Sequence, residues 1–309
     1  MHLGNAWTAL LAWLAARASR GAVVLRVEDL DPARSKEGFV QDILTGLAWL
    51  GLDWDEGPDK GGPYGPYCQS QRRARYQHCT DTLERQGLLY PCYCTRAQLH
   101  GNPNIAQAPH AGESEPVYAG TCLRLSENAL ASYRAAGRVP TLRLRVPHTR
   151  ISFTDRILGR HVQNLADTCG DFVLRRADGV HAYQLAVVAD DAAMRISEVV
   201  RGADLLDSTA RQIHLYRLFG WPEPDFAHVP LLVGPDGRRL SKRRSDVDLG
   251  LLRNSGVEPA AIVGYLAYRA GLVDAPRRIT PAELIDGFSF KALPPGPVTI
   301  PDDWLGTMI

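Results

Sequence analysis

The chain of 309 residues is long enough to bury a full core and to form two domains or one large one. Its 45% hydrophobic and 22% charged residues are those of an ordinary globular protein, which excludes a disordered or fibrous chain. With 35 basic residues against 34 acidic ones, the net charge of +1 gives no global field that would draw in nucleic acid, so any polyanion contact must come from a local basic patch.

At the start, Ala6, Trp7, Leu10, Leu11, Trp13 and Leu14 recur at helical spacing and predict a helix that begins at once and runs to Ser19. This apolar run has no basic leader and is broken by Arg17 and Arg20, so neither a signal peptide nor a membrane span is expected, and the reading is cytoplasmic. His2, beside Gly4 and Asn5 at the mouth of the helix, sets an imidazole next to unpaired backbone N–H groups and the positive end of a macrodipole. That arrangement is a phosphate site, with a plain capping turn as the competing reading.

The continuous apolar run Ala22 to Val27 predicts a strand buried on both faces of a parallel α/β sheet. It ends in Glu28-Asp29-Leu30-Asp31-Pro32, which puts carboxylates at the edge where such sheets bind ligands, unless the segment is simply a solvated acidic turn. Ser35 is placed to cap a core helix carrying Phe39, Ile43, Leu44, Leu47 and Leu50. Residues 53–66, rich in Gly and Pro, predict a loop, and a helix follows from Gln69 to Gln86 with Arg72, Arg73 and Arg75 on a solvated face, phosphate contact being the alternative.

Half of the six cysteines cluster next. Cys92 and Cys94, one residue apart, can converge on one ion through a tight turn, and Cys122 arrives after a long polar insertion carrying His100 and His110 as competing donors. Zinc suits such thiolates, and three buried free thiols are the other reading. Beyond it, Ser126 to Ala136 predicts a helix, and Thr141 to Val146 alternates as a strand with one wet face. Asp171 to Arg176, a turn at Ala177-Asp178-Gly179 and Ala182 to Val188 predict a hairpin that delivers Tyr183 and then Asp190-Asp191 to a strand end. Glu198 to Asp204 is an apolar strand ending in charge and glycine, with Arg201 near its end. Ser208 is placed to cap a helix over Thr209 to Phe219, and Phe226 to Val233 is a strand in which His228 reads as a packed or a capping histidine. The turn Gly234-Pro235-Asp236-Gly237 then leads to Arg239-Leu240-Ser241-Lys242-Arg243, a lysine on a loop tip. The remainder reads as a helical tail over Ala260 to Ala270 and Pro281 to Gly287 with a Pro-rich end.

His2-Leu3-Gly4-Asn5 and Leu240-Ser241-Lys242, in this order with an acidic strand between, resemble the two phosphate-gripping signatures of class I aminoacyl-tRNA synthetases. The resemblance implies that His2 and Lys242 are catalytic, and that His2, Gly4, Asn5, Ser241 and Lys242 bind ATP with Mg²⁺ and stabilise charge on the phosphates. Arg26 to Asp31 is similar to the corresponding segment of glutamate-specific members, with Leu30 in place of a threonine. Glu28 is thereby implied to hold the amino group of L-glutamate, Tyr183 to contact the amino acid and Arg201 to pair with its side-chain carboxylate.

The spacing of Cys92, Cys94, Tyr118 and Cys122 resembles the Zn²⁺ knob of the truncated paralogues that attach glutamate to queuosine in tRNA(Asp), with the Tyr118 hydroxyl completing the shell. The tail after Lys242 leaves no room for a large anticodon-binding domain, which favours those paralogues and implies tRNA(Asp) carrying queuosine as acceptor. The expected fold is α/β: a class I synthetase Rossmann-like parallel sheet with an inserted zinc-binding acceptor-type subdomain and a short helical tail. The expected divisions are 1–89 and 166–245 for the two catalytic halves, 90–165 for the insertion and 246–309 for the tail. The family also has a strand ahead of the His-x-Gly turn that this sequence does not contain, so a start assigned too far downstream is expected. The whole is read as a monomer; a non-catalytic synthetase-like tRNA-binding protein, a fragment of a glutamyl-tRNA synthetase and a nucleotidyltransferase of related fold are the rival readings.

Overall fold

Leu, Ala and Trp side chains at helical spacing fix the first element, α1 (Leu3–Ala18), whose Leu3, Ala6, Trp7, Leu10, Leu11, Trp13, Leu14 and Ala15 are all buried. The computed structural model describes residues 1–31, 37–100, 117–240 and 248–307, the side chains of Glu37, Arg96 and His100 excepted. Ser35, His110, Ser241, Lys242 and Arg243, each singled out above, lie outside the described residues, as does the side chain of His100.

The run from Ala22 to Val27 is extended but is not the expected buried strand. It makes isolated parallel bridges, Val24 with Glu56 and Val27 with Cys68, and Val23 to Val27 are half-buried. Its partner is the loop carrying Gly57, Pro58, Gly61, Gly62, Pro63, Gly65 and Pro66, and a proline-interrupted backbone cannot supply a continuous ladder of N–H donors. The main sheet is mixed rather than parallel, in the order β4 (Gly159–Asn164), β3 (Arg150–Asp155), β7 (Asp225–Val229), β6 (Glu198–Gly202). In it β3 and β4 form an antiparallel hairpin, while β7 runs parallel to both β3 and β6. A second sheet pairs β1 (Leu89–Cys92), β2 (Thr141–Leu144) and β5 (Phe172–Arg175) antiparallel, and a short third joins β8 (Leu232–Val233) to β9 (Val298–Thr299).

Four further expectations are corrected. The second arm of the expected hairpin is a helix, α7 (Tyr183–Ala193), in which Leu185 to Asp191 are all buried. A helix enclosed on every side shows no apolar periodicity, so its sequence cannot be told from a buried strand, and the alanines favour helix. Helix α8 (Leu206–Phe219) starts earlier than expected, so Ser208 lies inside it, accepting a hydrogen bond from Gln184 at 2.9 Å instead of capping. Strand β2 has no wet face: Arg143 is buried, donating to the Asp171 carbonyl at 2.6 Å with its guanidinium 3.8 Å from the centre of the Tyr118 ring. On α2 (Glu37–Trp49), Phe39 and Ile43 are exposed, and the core is reached by Leu47, with Leu50 just beyond the helix.

The remaining helices follow the sequence more closely. Ser126 caps α5 (Glu127–Ala135), α3 (Arg73–Arg85) ends before Gly87 at φ +70°, and α10 (Pro259–Arg269) forms the tail, where 281–287 contributes only a short 3₁₀ turn, Ala282–Leu284. Two large apolar clusters result. One joins α1, the end of α2, β8, α9 (Leu249–Asn254), α10 and Trp304, and it includes Leu240. The other joins α3, α7 and α8 to the inner residues of β2, β3, β5 and β7. Among the described residues no helix is long and apolar enough to cross a membrane.

Candidate active site

Trp7 anchors the start of α1 by donating its indole N–H to the Pro230 carbonyl at 2.7 Å, at the break between β7 and β8 where proline has no N–H for a ladder. Ahead of it, His2 bridges antiparallel to Asp248, and Leu249 donates to the Met1 carbonyl at 2.9 Å. Leu240 is buried in the α1 cluster and Asp248 pairs with His2, so both stand beside the helix mouth. A cleft of about 390 Å³ opens there, lined by His2, Gly4 and Asn5 from α1, by Arg201, Gly202 and Asp204 from the end of β6, and by Arg239 and Leu240.

Gly4 makes room for this geometry: a Cβ there would lie 3.1 Å from His2 Cε1 and 3.2 Å from Nδ1, so the ring would have to shift by a few tenths of an ångström. The His2 backbone N–H donates to Asn5 Oδ1 at 3.3 Å, the Asn5 N–H donates back to the His2 carbonyl at 2.9 Å, and the Leu3 and Gly4 N–H groups of the first turn have no acceptor within the helix. Imidazole, helix terminus and bare backbone together suit an anion. Across the cleft, Gly202 lets Asp204 approach, since a Cβ would fall 2.4 Å from Asp204 Oδ1, and Asp204 pairs with Arg239 at the stem of the 241–247 segment.

Arg201, 7% exposed, points into a buried polar network. Its Nε donates to His228 Nε2 at 3.0 Å, Nη1 to Gln212 Oε1 at 2.7 Å, and Nη2 to Thr209 Oγ1 at 2.9 Å and, long, to the Leu205 carbonyl at 3.4 Å. One Nη1 proton stays uncommitted among the described residues, and the 3.4 Å contact is easily given up, so two donors remain for a carboxylate. Tyr183 is the first residue of α7, half-buried, and burial together with the negative charge of Glu28 pushes its phenol up to about 12, against the opposing pull of Arg201. Tyr183 thus feels both other candidate amino-acid contacts. Glu28 is exposed and is held by Arg26 at 3.1 Å, whose Nη1 in turn donates to Asp191 at 2.6 Å. Arg72, expected on a wet face, is 4% exposed and paired with the fully buried Asp190, which also accepts from Tyr76 at 2.7 Å and Gln69 at 2.9 Å.

The cysteine cluster is separate from this cleft. The Sγ atoms of Cys92, Cys94 and Cys122 lie within 4.8 Å of one another, with Cys94 and Cys122 3.5 Å apart. The Tyr118 hydroxyl is 3.4 Å from Cys92 Sγ and 3.8 Å from Cys94 Sγ, and accepts the Cys122 N–H at 2.8 Å. Ligands at tetrahedral angles around zinc, with Zn–S near 2.3 Å, stand roughly 3.5–3.8 Å apart, so this donor set fits the ion. Burial raises the Cys92 thiol, but Tyr118, the Cys94 backbone and Arg143 outweigh it and leave it at about 7, a value that favours the thiolate a metal needs.

Residues 1–290 match the family described as "tRNA synthetases class I (E and Q), catalytic domain". The chain belongs to this family of ligases. The synthetase is 52% identical over its full length to the glutamyl-Q tRNA(Asp) synthetase of Symbiobacterium thermophilum, covering 94% of that protein. It is 47% identical over 307 residues to the protein of the same name from Nitratidesulfovibrio vulgaris, covering 93% of it. Among solved structures it is similar to the glutamate-tRNA synthetase of Elizabethkingia anophelis, at TM-score 0.83 and 28% identity over 98% of this chain and 66% of that one. These likenesses make the synthetase a class I catalytic domain with a mixed α/β sheet.

Sequence reasoning found the two ends of the cleft but missed what stands behind them. Arg72, Asp155 and the coupling of His228 to Arg201 gave no local signal, because a buried charge is recognisable only once its partner from another element is known. The one available hint was His228 inside an otherwise apolar strand.

Proposed function

We propose that the synthetase activates L-glutamate with ATP and transfers the glutamyl group to the queuosine base of tRNA(Asp). The supporting observation is the convergence on one cleft of an anion-receptive helix mouth, both ends of the lysine-bearing segment and a buried arginine with spare donors. The names of the relatives that match nearly end to end point to the acceptor.

In this reading Arg201 takes the side-chain carboxylate, and Glu28, steadied by Arg26, faces the ammonium. Tyr183, whose phenol feels the charges of Glu28 and Arg201, contacts the amino acid. The α-carboxylate oxygen attacks the α-phosphorus of ATP, pyrophosphate leaves, and glutamyl-adenylate forms. His2, the α1 terminus with Gly4 and Asn5, and Ser241 and Lys242 stabilise the charge that builds on the phosphates. Mg²⁺ bound to ATP supplies further charge neutralisation. A hydroxyl of the queuosine cyclopentenediol then attacks the acyl carbon, its proton is lost, and AMP leaves. Cys92, Cys94, Tyr118 and Cys122 hold Zn²⁺ in a structural role that shapes the tRNA-facing insertion.

The test is a pair of assays on the full chain. Glutamate-dependent exchange between ATP and pyrophosphate is expected without tRNA, and glutamate is expected to be attached to queuosine-containing tRNA(Asp) but not to a queuosine-free control. Equal charging of both tRNAs, or charging sensitive to removal of the 3′ hydroxyls, would discard the acceptor assignment.

A further inference from the structure

Behind Arg201 the structure holds a buried relay that carries no chemistry of its own. Asp155, 2% exposed at the end of β3, accepts the backbone N–H groups of Ile157 at 2.9 Å and Leu158 at 2.8 Å on one oxygen. Its other oxygen accepts the His228 N–H at 3.1 Å and lies 2.6 Å from His228 Nδ1. The carboxylate is therefore immobilised by the turn that follows β3, and it faces a histidine that is completely buried in the adjacent strand β7. On the far side of the ring, His228 Nε2 is 3.0 Å from Arg201 Nε and 3.2 Å from Thr209 Oγ1.

The proton positions follow from the partners. A guanidinium Nε–H only donates, so Nε2 must accept, and the ring proton belongs on Nδ1, facing the carboxylate. Burial holds the ring neutral by lowering its affinity for a second proton, with Arg201 acting in the same sense and Asp155 opposing. Gln212 fixes a second nitrogen of the same guanidinium, and is itself held by Gln184 at 3.0 Å. Three acceptors from two elements thus define the guanidinium plane, and a planar fork recognises a carboxylate only in the right plane.

We propose that Asp155 and His228 are positioning residues that set the plane of Arg201 and thereby the preference for L-glutamate over L-glutamine. This rests on the reading of Arg201 as the partner of the substrate's side-chain carboxylate. A neutral amide offers an –NH₂ where the carboxylate offers oxygen, so a guanidinium fixed in place rejects it, whereas one free to tilt loses both its grip on glutamate and its discrimination.

The experiment is calorimetric titration of L-glutamate, L-glutamine and ATP into the full chain, so that it needs no turnover. Wild type is expected to bind glutamate in clear preference to glutamine, and Arg201→Ala to lose that preference. His228→Asn, which removes the acceptor facing Arg201, is expected to weaken glutamate about tenfold with ATP unchanged, on the scale of losing one charge-assisted contact. His228→Gln places an amide oxygen near the position of Nε2 and should recover glutamate affinity to within about threefold. Asp155→Asn, similar in size, favours the opposite tautomer and should resemble His228→Asn, which gives a second arm if either variant fails to fold.

Glutamate affinity at the wild-type level in both His228→Asn and Asp155→Asn, while Arg201→Ala loses it, overturns the positioning role alone. Equal loss of glutamate and ATP binding in all three His228 and Asp155 variants marks a merely structural network and also overturns it. Unchanged glutamate binding in Arg201→Ala, or none in wild type, removes the reading beneath it.

Discussion

Gly4 leaves room beside the His2 imidazole at the helix mouth, and the Pro230 carbonyl anchors Trp7 and so orients the helix. Lys242 itself lies outside the described residues, but in the chain it falls between Leu240, which lines the cleft, and Asp248, which pairs with His2. Lys242→Ala is expected to lower glutamate-dependent pyrophosphate exchange by about 10²-fold or more, the scale of losing one preorganised charge contact. Wild-type exchange in that variant would remove Lys242 from the site. That His2, Gly4 and Leu240 line one cleft was legible from sequence because a helix mouth and a glycine turn are local devices. The detailed surroundings of Arg201 were not legible, since its acceptors His228, Gln212 and Thr209 come from β7 and α8.

At the scale of elements, α7 is the piece that sequence periodicity misassigned and that the fold depends on. It is enclosed on all sides, and it carries Asp190 to the point where Arg72, Tyr76 and Gln69 converge from the α3 region. Asp190→Ala leaves the Arg72 charge buried without its partner and is expected to cost about 3–5 kcal/mol in urea unfolding. A loss below about 1 kcal/mol would show that Arg72 finds solvent. His181, just ahead of α7, is 7% exposed with Tyr76 packed edge-on at 5.8 Å. Burial, aided by Arg175 and Arg73, pushes it down to about 4 from 6.5. The unfolded chain binds the proton first, so stability is fully present above about pH 6.5 and is lost as pH falls towards 4, by at most about 3 kcal/mol. His181→Asn is expected to flatten the pH dependence of the unfolding free energy in that window, and an unaltered slope would assign the dependence to other groups.

For the molecule as a whole, two apolar clusters and a cysteine cluster divide the labour. The expected parallel sheet gave way to a mixed one because β4 folds back on β3 as an antiparallel hairpin, while the run at residues 22–27, apolar enough for a central strand, finds only a Gly- and Pro-rich loop to pair with. Sequence can show that a segment is suited to a buried ladder, but the partner decides whether the ladder forms. The Cys92, Cys94, Tyr118 and Cys122 set, by contrast, was legible because thiol spacing is read along the chain and the turn geometry does the rest. Elemental analysis is expected to find about one zinc per chain, with Cys122→Ser lowering both metal content and thermal midpoint; a metal-free wild type of unchanged midpoint would make these buried thiols inert.

The antiparallel pairing of His2 with Asp248 has a practical corollary. Whatever is joined ahead of Met1 enters the protein against Leu249, beside the cleft that His2 lines, so an affinity tag there crowds the cleft mouth. Comparing fusions at the two termini reports how much room catalysis needs at that mouth.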